Sequence, residues 1–190
     1  MIRDFVISIR TTAVLWLLTA AIYPLLIFGI GQVAFPTQAN GSLIVDDQGQ
    51  VIGSTLIGQT FSRDQYFWSR PSIIDYSQGE AAAPTGLSGA SNLAPSNPDL
   101  LARIQAETDR LRAADIQPTA DLVYSSASGL DPHISPASAQ AQIARIAAAR
   151  NLSLDALQTL IDQNTAGRFL GLFGEPAVNT VTLNWVLDQR

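Results

Sequence analysis

The sequence predicts an α+β domain held outside the cytoplasm by a single N-terminal transmembrane helix. Three observations lead there: a charge-free run from Thr11 to Phe35, a series of helix-start signals in the second half of the chain, and short strand-like runs near residues 42–57 and 180–188.

The charge-free run fixes the organisation. As a helix its 25 residues reach about 37 Å, more than the roughly 30 Å of a hydrocarbon core. A signal peptide has an apolar stretch of only about 7–15 residues and a small-x-small cleavage site, so the length argues for an uncleaved anchor. Pro24, Gly29 and Gly31 within the run suit a membrane helix better than a buried soluble one. Arg3 and Arg10 precede the span, whereas Asp46 and Asp47 come after it and the next basic residue is Arg63. Basic flanks stay inside, which places residues 1–10 in the cytoplasm, 11–35 in the membrane and 37–190 outside. Thr12, Trp16, Thr19 and Tyr23 recur at helical spacing as a stripe of hydroxyls and rings, a candidate contact with a partner helix. Val14, Leu18, Ala21 and Leu25 fall opposite and are expected to face lipid.

Beyond the span, Ser42–Val45 and Gln50–Ile57 flank the turn tetrapeptide Asp46-Asp47-Gln48-Gly49 and read as a hairpin. Tyr66, Phe67 and Trp68 beside Arg70-Pro71 carry two readings. Aromatics with arginine have the composition of a protein contact, and the same aromatics also favour a core strand. From Ser77 to Pro98 the chain is rich in Gly, Ala, Ser, Asn and Pro without periodicity, a long loop. Asn97-Pro98 and Ser135-Pro136 each pair a cap with a first-turn proline. They predict one helix with Leu101, Ile104, Thr108 and Leu111 on a face that packs on a sheet. They predict a second reaching Arg150 with Ala139, Ile143, Ile146 and Ala147 on one side. A third is expected over Leu154–Gln163 behind Ser153. At the end of the chain Val181, Leu183, Trp185 and Leu187 alternate, the pattern of a half-buried strand.

Composition narrows function. The chain of 190 residues has 16 acidic and 11 basic residues, net -5, with no basic block, so nucleic-acid binding is set aside. Cysteine and lysine are both absent, which removes thiolate chemistry and a phosphate loop with its lysine. One histidine and no spaced carboxylate loop leave no metal site or cofactor to expect. That histidine, His133, lies two residues from Asp131, so a Ser-His-Asp hydrolase enters as an alternative, with Ser88 as nucleophile. Its elbow, Gly86-Leu87-Ser88-Gly89-Ala90, ends in Ala where the motif asks for Gly. The simpler reading makes Ser128–Ser135 a tight connection and His133 a hydrogen-bonding loop residue at a subunit contact. A free-standing sensor domain is the remaining alternative.

Four blocks, Tyr66–Ser72, Ser91–Pro98, Ser128–Ser135 and Gly174–Asn179, together with Gly53–Gln59, resemble the C-subunit family of the bacterial Kdp potassium-transporting ATPase. The sequence departs from that pattern at Trp68-Ser69, Ala94 and Tyr124-Ser125. The resemblance implies a non-catalytic accessory subunit of a plasma-membrane potassium uptake complex. Its implied partners are a channel-like potassium-binding subunit, a P-type ATPase subunit that hydrolyses ATP, and a small membrane subunit.

Overall fold

A computed structural model describes residues 1–78 and 87–190, in two compact units, 1–43 and 44–190. Part of the Ser77–Pro98 loop, and Gly86 of the elbow, lie outside the described residues.

The first unit is a helix from Ile2 to Ala34 whose most apolar window has a mean hydropathy of 2.2, long and apolar enough to cross a membrane. It is built as α1 (Ile2–Leu17), one π-helical turn (Leu18–Ile22) and α2 (Tyr23–Ala34), with a short α3 (Pro36–Ala39) after it. The wide turn sits just before Pro24, which has no N–H to give. There the Tyr23 N–H reaches back to the Leu18 carbonyl, and the Thr19 hydroxyl donates to the Leu15 carbonyl at 2.8 Å. One extra residue in a turn rotates the rest of the helix by about 100°. Thr19 lies within this wide turn and Tyr23 directly after it, so the regular helical spacing that defines the four-residue stripe is altered there.

The second unit opens with β1 (Leu43–Val45) and β2 (Val51–Ser54), the expected hairpin, trimmed at both ends. Asp46 closes its turn by accepting from the N–H groups of Gln48 and Gln50. Then come α4 (Pro98–Ala113), α5 (Ala120–Val123), β3 (His133–Ile134), α6 (Pro136–Gln140), α7 (Ile143–Arg150), α8 (Leu154–Gln163), β4 (Thr165–Ala166), β5 (Ala177–Asn179) and α9 (Thr180–Asp188). β5 lies between β3 and β4, antiparallel to both, with Ile134 and Thr165 each opposite Val178. The caps fall where the sequence places them: Asn97, Ser135 and Ser153 each accept a first-turn N–H.

Three expectations change. α4 enters the core through Ile104 and Leu111 and packs beside α5, while Leu101 points to solvent. The helix expected from Pro136 to Arg150 breaks at Ala141-Gln142, because Gln142 is buried and its amide serves another segment. The terminal strand is a helix, α9. Its buried positions Thr180, Leu183, Asn184 and Leu187 have helical spacing, and Leu183 and Leu187 satisfy both periods. Thr180 and Asn184 decide the matter. As polar residues they read as surface, yet both are buried and hydrogen-bonded.

The segment Arg63–Arg70 has no regular structure, although Phe67 is fully buried and Trp68 is 7% exposed. The strand alternative for Tyr66–Trp68 therefore fails in its geometry, while burial holds for the last two. A buried backbone without a ladder must find other partners. The Asn184 amide takes both polar groups of Phe67, accepting its N–H at 2.8 Å and donating to its carbonyl at 2.9 Å. Gln142 does the same for Trp68, at 2.7 and 3.2 Å. Arg145 donates to the carbonyls of Asp64 and Tyr66, and Arg150 to that of Gln65. The Trp68 indole N–H closes the series on the Arg63 carbonyl.

Gln142→Met keeps the volume but orphans two buried backbone groups of Trp68, a cost of about 2–4 kcal/mol. Urea unfolding of the detergent-solubilised chain should show that loss. Gln105→Met on the exposed face of α4 should stay within about 0.5 kcal/mol of the parent. Equal stability of the two variants would remove the amide from its place in the core.

Candidate partner interface

Three groups of side chains on the second unit could serve a partner. The first is the aromatic segment. The core claims Phe67 and Trp68, so they leave the set of surface candidates. Two guanidinium groups lie over the Trp68 ring, Arg145 at 4.1 Å and Arg110 at 4.5 Å from its centroid. Burial pulls the Arg145 guanidinium down to about 10, with Asp64 pulling the other way and Arg110 adding to the fall. Tyr66 remains half-buried: its hydroxyl donates to Asp188 at 3.0 Å, and Arg150 and Arg63 lie over its ring.

The second group is an ionic chain, Arg70–Asp131–His133, which the sequence singles out at both ends. The Arg70 guanidinium is 3.3 Å from Asp131 Oδ2, and His133 Nδ1 is 3.0 Å from Asp131 Oδ1. The His133 backbone N–H donates to the same oxygen. Leu56, Ser126, Ala127, Ser128, Leu130 and Pro132 complete the walls of a shallow depression around these groups. Burial works against the Asp131 carboxylate, but the hydrogen bonds from His133 and the charges of His133 and Arg70 outweigh it, so its pKa falls. The Ser88 hydroxyl donates to the Ser128 carbonyl at 3.0 Å. Among the described residues no three His, Cys, Asp or Glu side chains cluster as metal ligands would.

Local folding explains how Arg70 is set. Asp75, Tyr76 and Ser77 all have positive φ, a short left-handed turn that costs non-glycine residues roughly 1–2 kcal/mol each. Ser72 Oγ accepts from the N–H groups of Ile74 and Tyr76 to hold it. The turn drives the Tyr76 ring inward, where its hydroxyl donates to the Arg70 carbonyl at 2.6 Å and burial pushes its pKa up to about 12. The ring rests against Gly58, where any Cβ would collide with it. Gly129, at φ +70, is needed likewise, because a side chain there would strike Ile74 and the Gly89 carbonyl.

The third group is one that the sequence reading does not single out. Between Arg168 and Glu175 the chain makes a small hairpin tip in which Phe169, Leu170, Leu172 and Phe173 stand in solvent. Its signal is four large apolar residues around one glycine, overshadowed by the family motif that begins at Gly174. The anchor candidates Trp16 and Tyr23 are also exposed along the first unit, as are Thr12 and Thr19.

Comparison with known proteins places these groups in a family context. The family model KdpC, described as K+-transporting ATPase, c chain, matches residues 5–189. The chain is 67% identical to the potassium-transporting ATPase KdpC subunit of Synechocystis sp., covering 100% of both chains. It is 55% identical to KdpC subunit 2 of Nostoc sp., covering 100% of this chain and 95% of that one. It is 48% identical to the KdpC subunit of Methylococcus capsulatus, covering 99% and 98%.

The ionic chain has a pH signature. A carboxylate whose folded pKa is depressed stabilises the fold above its ordinary value, 3.8, and that contribution is lost as pH falls through the lower folded value. Asp131→Asn should cost about 1–2 kcal/mol at pH 7. It should also show a smaller drop in urea midpoint than the parent between pH 5 and pH 3. Parallel midpoints for the two chains would mean that Asp131 does not stabilise the domain through its charge.

Proposed function

The chain belongs to the KdpC family, the c chain of K+-transporting ATPases, and on that premise we propose that it is a non-catalytic accessory subunit of an ATP-driven potassium uptake complex. The observation that carries this reading is the match over nearly the whole length, anchor and domain together, to relatives named for that subunit. The work assigned to it is to assemble and stabilise a channel-like potassium-binding subunit and a P-type ATPase subunit, with a small membrane subunit alongside. It sits in the bacterial plasma membrane with residues 1–10 in the cytoplasm and residues 37–190 outside. Arg3 and Arg10 before the span and the acidic start of the domain support that orientation.

The anchor supports the reading in a second way. A helix in lipid gains nothing hydrophobic by meeting another helix, so recognition must come from packing and polar contacts. Thr12, Trp16 and Thr19 supply both along one line. The Thr19 hydroxyl hydrogen is spent on the Leu15 carbonyl, which leaves its methyl group and oxygen lone pairs to face a neighbour. In the domain, Tyr66, Arg70 and His133 offer polar surface around a fixed frame, which suits a contact and not turnover.

Two measurements test this. A single cysteine at Gln48, in a chain that has none, should react with an impermeant thiol reagent on intact cells. Protection until the cells are broken would reverse the orientation. Thr12→Leu with Thr19→Leu should lower the amount of subunit retained with its complex in mild detergent, whereas Val14→Leu should not. Full retention of the double variant would leave assembly to the exterior domain alone.

A further inference from the structure

The tip at residues 168–175 is shaped to enter something. Phe169, Leu170, Leu172 and Phe173 are 71, 74, 73 and 63% exposed, and together they surround the apex. Exposed apolar groups this concentrated mark an interaction site in a folded protein. The apex is also rigid. Phe169 N–H donates to the Phe173 carbonyl at 2.8 Å, and Phe173 N–H returns to the Phe169 carbonyl at 3.0 Å. Gly171 and Leu172 N–H groups go to the Arg168 and Phe169 carbonyls. Arg168 clamps the base, with its Nη2 2.9 and 2.7 Å from the two carboxylate oxygens of Glu175. Leu170 is held at φ 53, beside Gly171 at φ 73, so the turn keeps a costly leucine in place to present its side chain outward.

We propose that this tip is a plug that seats in a concave apolar pocket on another subunit of the same K+-transporting ATPase. The inference rests on the accessory-subunit reading and adds to it the element that docks. Three features favour a protein pocket over a lipid surface. A fixed backbone with paired N–H groups is pre-organised for one complementary shape, which lowers the ordering cost of binding, whereas fluid lipid demands no fixed shape. The one cation within residues 168–175, Arg168, is neutralised by Glu175, so the tip carries no basic rim to meet anionic headgroups. The domain is also more acidic than the chain's net -5, since two of the 11 basic residues, Arg3 and Arg10, and one acidic residue, Asp4, precede it. Anionic membrane would repel it.

The complete complex, expressed with all its subunits, provides the test. A photo-crosslinking p-benzoylphenylalanine at Leu172 should couple this chain to a sister subunit. The same group at Leu101, another exposed leucine, on α4, should give at least about tenfold less product. Leu170→Ser with Leu172→Ser should reduce retention of the subunit at least about tenfold with unchanged circular dichroism, since the replaced side chains stand in solvent. Crosslinks confined to lipid would overturn the proposal in favour of bilayer insertion, and parental retention with no crosslink would overturn it outright. If the parental chain itself fails to copurify with the other subunits, the accessory reading falls, and the plug with it.

Discussion

Six consecutive backbone carbonyls, from Arg63 to Trp68, run along the side of the domain with no strand to pair with, and the placement of α7 and α9 satisfies them. An unmet buried carbonyl costs as much as a lost hydrogen bond, so the strandless backbone at Phe67 and Trp68, the buried end of the segment, is tolerated only where side chains replace a ladder. α7 contributes two arginines, the turn before it contributes Gln142, and α9 contributes Asn184. Each amide grips one residue by both N–H and carbonyl, as a neighbouring strand would. The requirement brings α7 and α9 to the same segment and explains why the second of the expected helices is interrupted where its glutamine turns inward.

The same economy governs the other buried polar groups. Thr180 donates to the Pro132 carbonyl and shares a hydrogen bond with Ser69, whose hydroxyl also meets the Gln59 carbonyl. Asn179 caps α9 and reaches across to the Thr55 carbonyl. These bonds tie the loops before α4 to the last helix of the chain. Rigidity is concentrated there, while the groups assigned to partners stand at the margins: the ionic chain ending in His133 and the apolar tip. A subunit whose work is contact needs that division, because a surface held on a stiff frame loses little entropy on docking.

The local grammar of the chain is legible. Asn97-Pro98, Ser135-Pro136 and Ser153 announce their helices because cap chemistry is decided within four residues. The hairpin at Asp46–Gln50 and the long apolar helix are local in the same sense. What escapes depends on partners far along the chain. Nothing near Asn184 or Gln142 says that an amide will be buried, since the groups they satisfy lie over 70 residues away. Reading Thr180 and Asn184 as surface residues turns a helix into a strand. Leu101 fails for the converse reason: periodicity assigns it to a face, but only tertiary packing decides how far along a helix that face is covered. The π turn before Pro24 alters the spacing near Thr19 and Tyr23, which an ideal 3.6-residue period does not show. Of the candidate contact residues, Phe67 and Trp68 have two readings by composition, and burial chooses between them.

Recognition of a main chain by side chains makes for an asymmetric tolerance to mutation. Gln142, Arg145, Arg150 and Asn184 read the carbonyls and N–H groups of residues 64–68, and every amino acid but proline presents the same ones. Outward-facing positions such as Asp64 and Gln65 can therefore drift in a lineage without disturbing the fold, while the four readers cannot. Adaptation of this face to a changed neighbour can proceed by single substitutions on the loop, each tested against a frame that stays as it was.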